Sequence, residues 1–428
     1  MRPIARQRTR SAAGIKMRPS WPVRQHAPQA RQSSSASIQP VYGVRSRAPA
    51  LPTIVRTMRA RTPISVTALV LALACGAPAS PAPDDAGLDA TPDAGLHGVH
   101  WAMGPPLPTP LAYATAETFM VDMDTYVYVF GGSSASRGSL GTVSSAVYRS
   151  RISGDTLEPW QRIGDIAPAG ATRGLVGHGS LPINDAMGNH GAAIAGGGDL
   201  THGALPVVLA IYCDPNDGHL FDWSRFPPML ADGQSFGVFA PFDPLAYALV
   251  GGMVNNVPSA RVLVAPIRND ATSPDWIVGP SLPAPRARHA YFVVDQQVYV
   301  LGGENNDGPV ADVVRTTRGA DRSVSGWEVV GTIEGPPVTA SVFVYRREAY
   351  LVGGIDGSTF DGLPSARVRR AAVDADGRMA TFADEPEPLP LPLAASAYAT
   401  DFDHHYLIGG MTTPDLTATD AVVIGTIY

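Results

Sequence analysis

Val298-Tyr299-Val300-Leu301-Gly302-Gly303 is a short apolar run that stops on a glycine pair, and the chain contains six segments of this kind. The others are Tyr126-Val127-Tyr128-Val129-Phe130-Gly131-Gly132, Ala192-Ala193-Ile194-Ala195-Gly196-Gly197, Tyr247-Ala248-Leu249-Val250-Gly251-Gly252, Ala349-Tyr350-Leu351-Val352-Gly353-Gly354 and Tyr406-Leu407-Ile408-Gly409-Gly410. Their first glycines are 65, 55, 51, 51 and 56 residues apart. A period of that length is the size of one four-stranded sheet in a repeat protein. One diglycine after a strand means little, but six at this spacing define an architecture.

The surroundings repeat as well. Each glycine pair is preceded, 26 to 36 residues earlier, by a large aromatic: Trp101, Trp160, Trp223, Trp276, Trp327 and Phe382. Prolines follow most of these aromatics, as in Pro105-Pro106-Leu107-Pro108 and Leu282-Pro283-Ala284-Pro285. Next comes an apolar strand such as Ala290-Tyr291-Phe292-Val293-Val294, a tight turn such as Asp295-Gln296, and the glycine-terminated strand. Continuous apolarity in these paired strands predicts burial on both faces. The glycine pair lets the chain leave a buried strand at positive φ where neighbouring sheets come close.

On these motifs, residues 99–428 resemble the kelch repeat family. The resemblance implies an all-β fold, a six-bladed propeller with four antiparallel strands per blade around a central channel. Family members usually carry a Tyr and a Trp seven positions apart after the glycines. Here Tyr148 with Trp160 and Tyr212 with Trp223 are 12 and 11 apart, so the match holds at the level of the fold and not of a subfamily. The sixth unit ends at Tyr428 without an aromatic strand, whereas His100-Trp101-Ala102-Met103 is an aromatic strand with no unit before it. The N-terminal strand is therefore expected to complete the last blade and close the ring, leaving no free edge.

Ahead of the repeats the composition changes abruptly. Among the 428 residues are 32 Lys+Arg and 38 Asp+Glu, a formal charge of -6, but the two signs are segregated. Residues 1–57 hold ten Arg, Lys16 and no acid, while from Cys75 onward 19 Arg face all 38 acids, a balance of -19. With 44 Gly, 40 Pro and 45% hydrophobic residues, the composition excludes a coiled coil or a wholly disordered chain. Met58, Arg59 and Arg61, the apolar run 64–74, and Leu71-Ala72-Leu73-Ala74-Cys75 read as a signal peptide of residues 58–74. The run is too short to span a bilayer.

This region resembles a bacterial lipoprotein signal, with Cys75 as the lipidated residue; it departs from the usual pattern in having Ala72 at the third position before the cysteine. An ordinary secretory peptide cleaved nearby is the alternative. Residues 1–57 then read as an over-long start or a disordered basic extension, a nucleic-acid-binding arm being the other reading. Residues 75–98, rich in Pro, Ala and Asp, read as a linker. The expected address is the bacterial cell envelope, on a lipid anchor and on the outer membrane, or otherwise periplasmic or secreted.

In a kelch-like propeller the loops after the glycines and between blades share one rim, and loops on a rigid scaffold are where binding residues collect. The candidates there are Arg137, Arg173, His202, Asn255, Arg286, Arg288, His289, Glu304, Asn305 and Asp356. Arg286-Ala287-Arg288-His289 is the sharpest cluster, since guanidiniums pair bidentately with carboxylates or sugar acids. Pairing within the rim, to Glu304 for instance, is the alternative. No catalytic residue, cofactor or metal is expected: the rings of His404-His405 point to opposite faces, and no phosphate loop or serine elbow is present.

The function expected is a monomeric binding module for a protein or carbohydrate ligand, touching membrane only through its lipid. Nucleic acid is a poor partner for a domain of this charge. The alternative is a sugar-active enzyme, since some secreted bacterial kelch-like propellers are sialic-acid mutarotases and others are copper carbohydrate oxidases.

Overall fold

The computed structural model describes residues 98–428 apart from 167–173, 185–188, 200–202, 225–229, 244–245, 267–274, 320–322, 360 and 414, and omits the side chains of 222–224 and 243. The expectations for residues 1–57, the signal peptide, Cys75 and the linker up to residue 97 lie outside the described residues, as do Arg173 and His202.

The described residues are all-β, with no helix, and form six antiparallel sheets of four or five strands. One sheet serves for all. Ala290–Val294 pairs with Gln297–Leu301, which pairs with Asp312–Arg318, which pairs with Val324–Thr332. The first connection is the two-residue turn Asp295-Gln296, with φ of 49° and 62°. Two consecutive left-handed residues give the turn whose twist matches a tight hairpin. Arg346 and Arg347, at 46° and 65°, make the same turn in the next sheet.

The sheet containing the C-terminus is built from both ends of the described chain. Its order is Ala397–Asp401, His404–Ile408, Val422–Ile427 and then Val99–Met103, with Trp101 opposite Gly425. Glu387 accepts a 2.9 Å bond from the Trp101 amide on the outer edge of that strand.

Packing between sheets accounts for the apolarity of the inner strands. Phe292, Tyr299 and Leu301 cluster with Val342, Ala349 and Leu351 of the following sheet. On the other side, Val298, Val300 and Val314 cluster with Ala240, Ala248 and Val264 of the preceding one. The same relation joins every consecutive pair of the six sheets, and the sixth to the first through Ala397, Tyr406 and Ile424 against Ala116, Val127 and Val129. Full burial of one such side chain contributes about 1.5–3 kcal/mol.

The aromatic and proline periodicities meet here. Trp327 Nε1 donates to the Pro280 carbonyl at 2.8 Å, and Trp160 Nε1 to the Pro105 carbonyl at 2.9 Å, each pinning an outer strand to the proline-rich connection leading into its own sheet.

Candidate functional site

Six residues, one at the start of the innermost strand of each sheet or two positions ahead of it, stand in the left-handed region: Tyr113 (φ 57°), Gly177 (63°), Phe236 (55°), Arg288 (57°), Thr339 (58°) and Ala395 (53°). Their main chains are joined head to tail. The Gly177 amide donates to the Tyr113 carbonyl at 3.1 Å, Phe236 to Gly177 at 2.6 Å, and Arg288 to Phe236 at 2.8 Å. Thr339 donates to Arg288 at 2.8 Å, Ala395 to Thr339 at 2.9 Å, and Tyr113 to Ala395 at 2.9 Å, which returns the circuit to its start. Only Gly177 adopts this conformation without steric cost; for a β-branched residue such as Thr339 it is a true outlier.

A pocket of about 130 Å³ lies on this circuit, lined by these six residues and the residue following each, among them His178, His289 and Ser396. One wall is a stack. The Tyr113 and Phe236 rings meet edge to face with centroids 5.1 Å apart, and the Arg288 guanidinium carbon lies 4.7 Å above the Phe236 ring. Burial raises the Tyr113 hydroxyl's pKa, with the Arg288 charge opposing.

Arg288 is anchored behind the pocket: its Nη1 donates to Glu304 Oε1 at 2.8 Å, and Glu304 also accepts from Thr359 Oγ1 at 2.6 Å and the Thr359 amide at 3.1 Å. The sequence alternative of pairing within the rim is thus what the geometry shows for this arginine. Glu304 is 5% exposed, so the pair is largely removed from water.

The two histidines are neutral walls. Burial drives both down to about 3, and for His289 the Arg286 charge adds to the shift. His178 Nε2 shares a 2.9 Å hydrogen bond with Thr115 Oγ1. A Cβ on Gly251 would lie 2.6 Å from His289 Cε1, so a glycine pair of one sheet makes room for the histidine of the next.

Below the pocket, on the innermost strand Thr115–Val121, Glu117 accepts a 2.5 Å bond from Ser180 Oγ. Burial pushes its carboxyl up to about 7, the Ser180 bond opposing.

Of the residues singled out from sequence, Arg288 and His289 line the pocket and Glu304 supports it. Arg286 does not reach the rim: it is fully buried, its Nη1 donates to the Asp312 carbonyl at 3.0 Å, and burial pulls it down to about 10 against the Asp312 charge. Arg137 is exposed and donates to the Gly362 carbonyl at 3.0 Å. Asn255 (φ 52°) is the first residue of a hairpin turn, Asn305 caps the Asp307 amide at 2.8 Å, and Asp356 is exposed on a short strand; none of the four lines the pocket. Tyr113, Phe236, Thr339, Ser396 and Glu117 were not among the sequence candidates. Counting back 14 to 19 residues from each glycine pair finds the six left-handed positions. Among the described residues, no three His, Cys, Asp or Glu side chains gather as a metal site.

No family model and no curated protein matches this chain. Among solved structures it is similar to one titled "Structure of YjhT", with a TM-score of 0.55 and 14% identity over 76% of this chain and 99% of that one. The likeness supports a kelch-like propeller fold.

Proposed function

We propose that residues 99–428 form a closed six-bladed kelch-type propeller, its last blade completed by the N-terminal strand, whose rim binds a protein or glycan ligand at the axial pocket. The propeller is exported and held at the cell envelope by lipid on Cys75.

One observation carries the binding reading. Every sheet contributes one left-handed residue and its successor to a single pocket, and five of those six residues are not glycine. Strained backbone of this kind gathers at functional sites and persists where the surrounding fold over-determines it. The hydrogen-bond circuit and the six inter-sheet clusters support closure of the ring.

The wall of Tyr113, Phe236 and Arg288 suits the apolar face of a sugar ring or a flat side chain, with Ser396 and the Arg288 guanidinium as polar handles. A glycan array probed with the full chain tests this. Binding that is lost in Arg288→Ala supports the reading, and binding that survives the substitution removes the pocket from it.

A sugar-active enzyme, of the mutarotase or carbohydrate-oxidase kind, has one observation in its favour. A carboxyl pushed up to about 7, as Glu117 is, exchanges protons readily near neutrality. Anomer exchange measured by NMR on a panel of reducing sugars separates the two readings, because catalysis lost in Glu117→Gln would replace the binding account.

A further inference from the structure

The pocket residues stand at the start of the innermost strands, and the hairpin turns that follow those strands lie at their opposite ends. Two of these turns carry bare apolar side chains. Met123, in the turn after Thr115–Val121, is 89% exposed, and Phe402, in the turn after Ala397–Asp401, is 80% exposed. The strands leading into these turns lie side by side: Thr118 Oγ1, five positions before Met123, donates at 2.9 Å to the Thr400 carbonyl, two positions before Phe402. Met120 and the C-terminal Tyr428 are 56% and 67% exposed, and both sit at this end.

The chain also enters the domain here. The Tyr428 amide donates to the Gly98 carbonyl at 3.2 Å, and the Ile427 amide to the Asp403 carbonyl at 3.1 Å, so Gly98, Tyr428 and the Phe402 turn form one corner. Cys75 lies 23 positions before Gly98. A lipid on Cys75 would join the domain at this end, through the linker.

We infer that Met120, Met123, Phe402 and Tyr428 form a membrane-resting face that dips into the interfacial zone of a bilayer and holds the pocket outward. The inference rests on the lipid-anchor reading for its orientation. Apolar and aromatic side chains suit the interfacial zone. The face carries Asp122, Asp124, Asp401 and Asp403 beside these residues, so the bilayer it fits is zwitterionic. Added anionic lipid repels it.

The test uses the full chain in phosphatidylcholine vesicles, with an environment-sensitive fluorophore on Phe402→Cys or Met123→Cys. Cys213 is buried and does not compete for the label, and peptide mapping sets aside any protein labelled at an unacylated Cys75. Val278→Cys, replacing a residue 75% exposed in another sheet, is the control. The expected result is a severalfold rise and blue shift of emission at 402 and 123, quenching by nitroxide-bearing lipid, and neither at 278.

Partial replacement by phosphatidylserine lowers the signal. Mass spectrometry of the same protein reports acylation of Cys75. Acylated, vesicle-bound protein with a solvent-like fluorophore at 402 and 123 overturns the face and leaves the anchor standing. Unacylated protein with quenched label overturns the anchor and leaves the face standing; protein neither acylated nor quenched overturns both.

Discussion

The amide of Tyr113, in the first repeat, donates a 2.9 Å hydrogen bond to the carbonyl of Ala395, in the sixth. That contact is the last in a series of six, and it brings together backbone that the sequence separates by nearly the whole domain. The side chains at these positions differ widely while the backbone geometry is the same in all.

Thr339 holds the least favourable residue type of the six for its left-handed φ of 58°. Thr339→Gly should therefore stabilise the protein by about 1 kcal/mol, the steric relief exceeding glycine's added chain entropy. Thermal unfolding checks this, and Ala395→Gly should give a smaller gain in the same direction. A loss of stability in both would mean that the strain is not real.

Breaking the Arg288–Glu304 pair should be costly, because the guanidinium side chain is 17% and the carboxylate side chain 6% exposed. Glu304→Gln leaves a largely buried cation without its counter-charge and should cost about 3 kcal/mol. Denaturant unfolding should also show that Arg288→Met with Glu304→Leu costs less than Glu304→Gln alone.

The buried histidines and Glu117 give stability a maximum in pH. His178, His289 and His405 sit near 3 in the fold and near 6.5 in an unfolded chain, so the unfolded state takes up protons first as pH falls. Their contribution is complete above about 6.5 and is lost progressively toward 3, by up to about 1.4 kcal/mol per pH unit for each ring. Glu117 acts oppositely: held near 7 against an ordinary 4.5, its contribution is present below 4.5 and lost as pH rises through 7. Melting temperature plotted against pH should fall on the acid side, and Glu117→Gln should steepen the rise between 4.5 and 6.5, where the carboxyl offsets one of the three histidines.

Deleting the strand Val99–Met103 removes the partner of Val422–Ile427 and bares a sheet edge. Light scattering should report association of the shortened protein at concentrations where the full chain is monomeric. An unassociated protein with unchanged melting temperature would contradict closure through this strand.

The architecture was legible because it is written in local chemistry. Diglycines mark strand ends, Trp160 and Trp327 mark outer strands bonded to proline turns, and apolar runs mark strands buried on both faces. The site was legible only in part. Arg286 and Arg288 are two residues apart, a spacing that in a regular strand puts both on one face. The left-handed turn at Arg288 breaks that alternation, so one guanidinium goes into the interior and the other to the pocket. What Tyr113, Phe236 and Thr339 share is a φ angle, which no residue type but glycine announces.

Proposed ligand binding at the pocket on the hydrogen-bond circuit stands or falls on Phe236→Gly. Glycine suits the φ of 55° and keeps the backbone circuit, while the ring beneath Arg288 and against Tyr113 is removed. Phe236→Gly should melt within a few degrees of the parent and lose the parent's binding, on the glycan array and on immobilised envelope-protein fractions. Undiminished binding by a well-folded Phe236→Gly protein would contradict it.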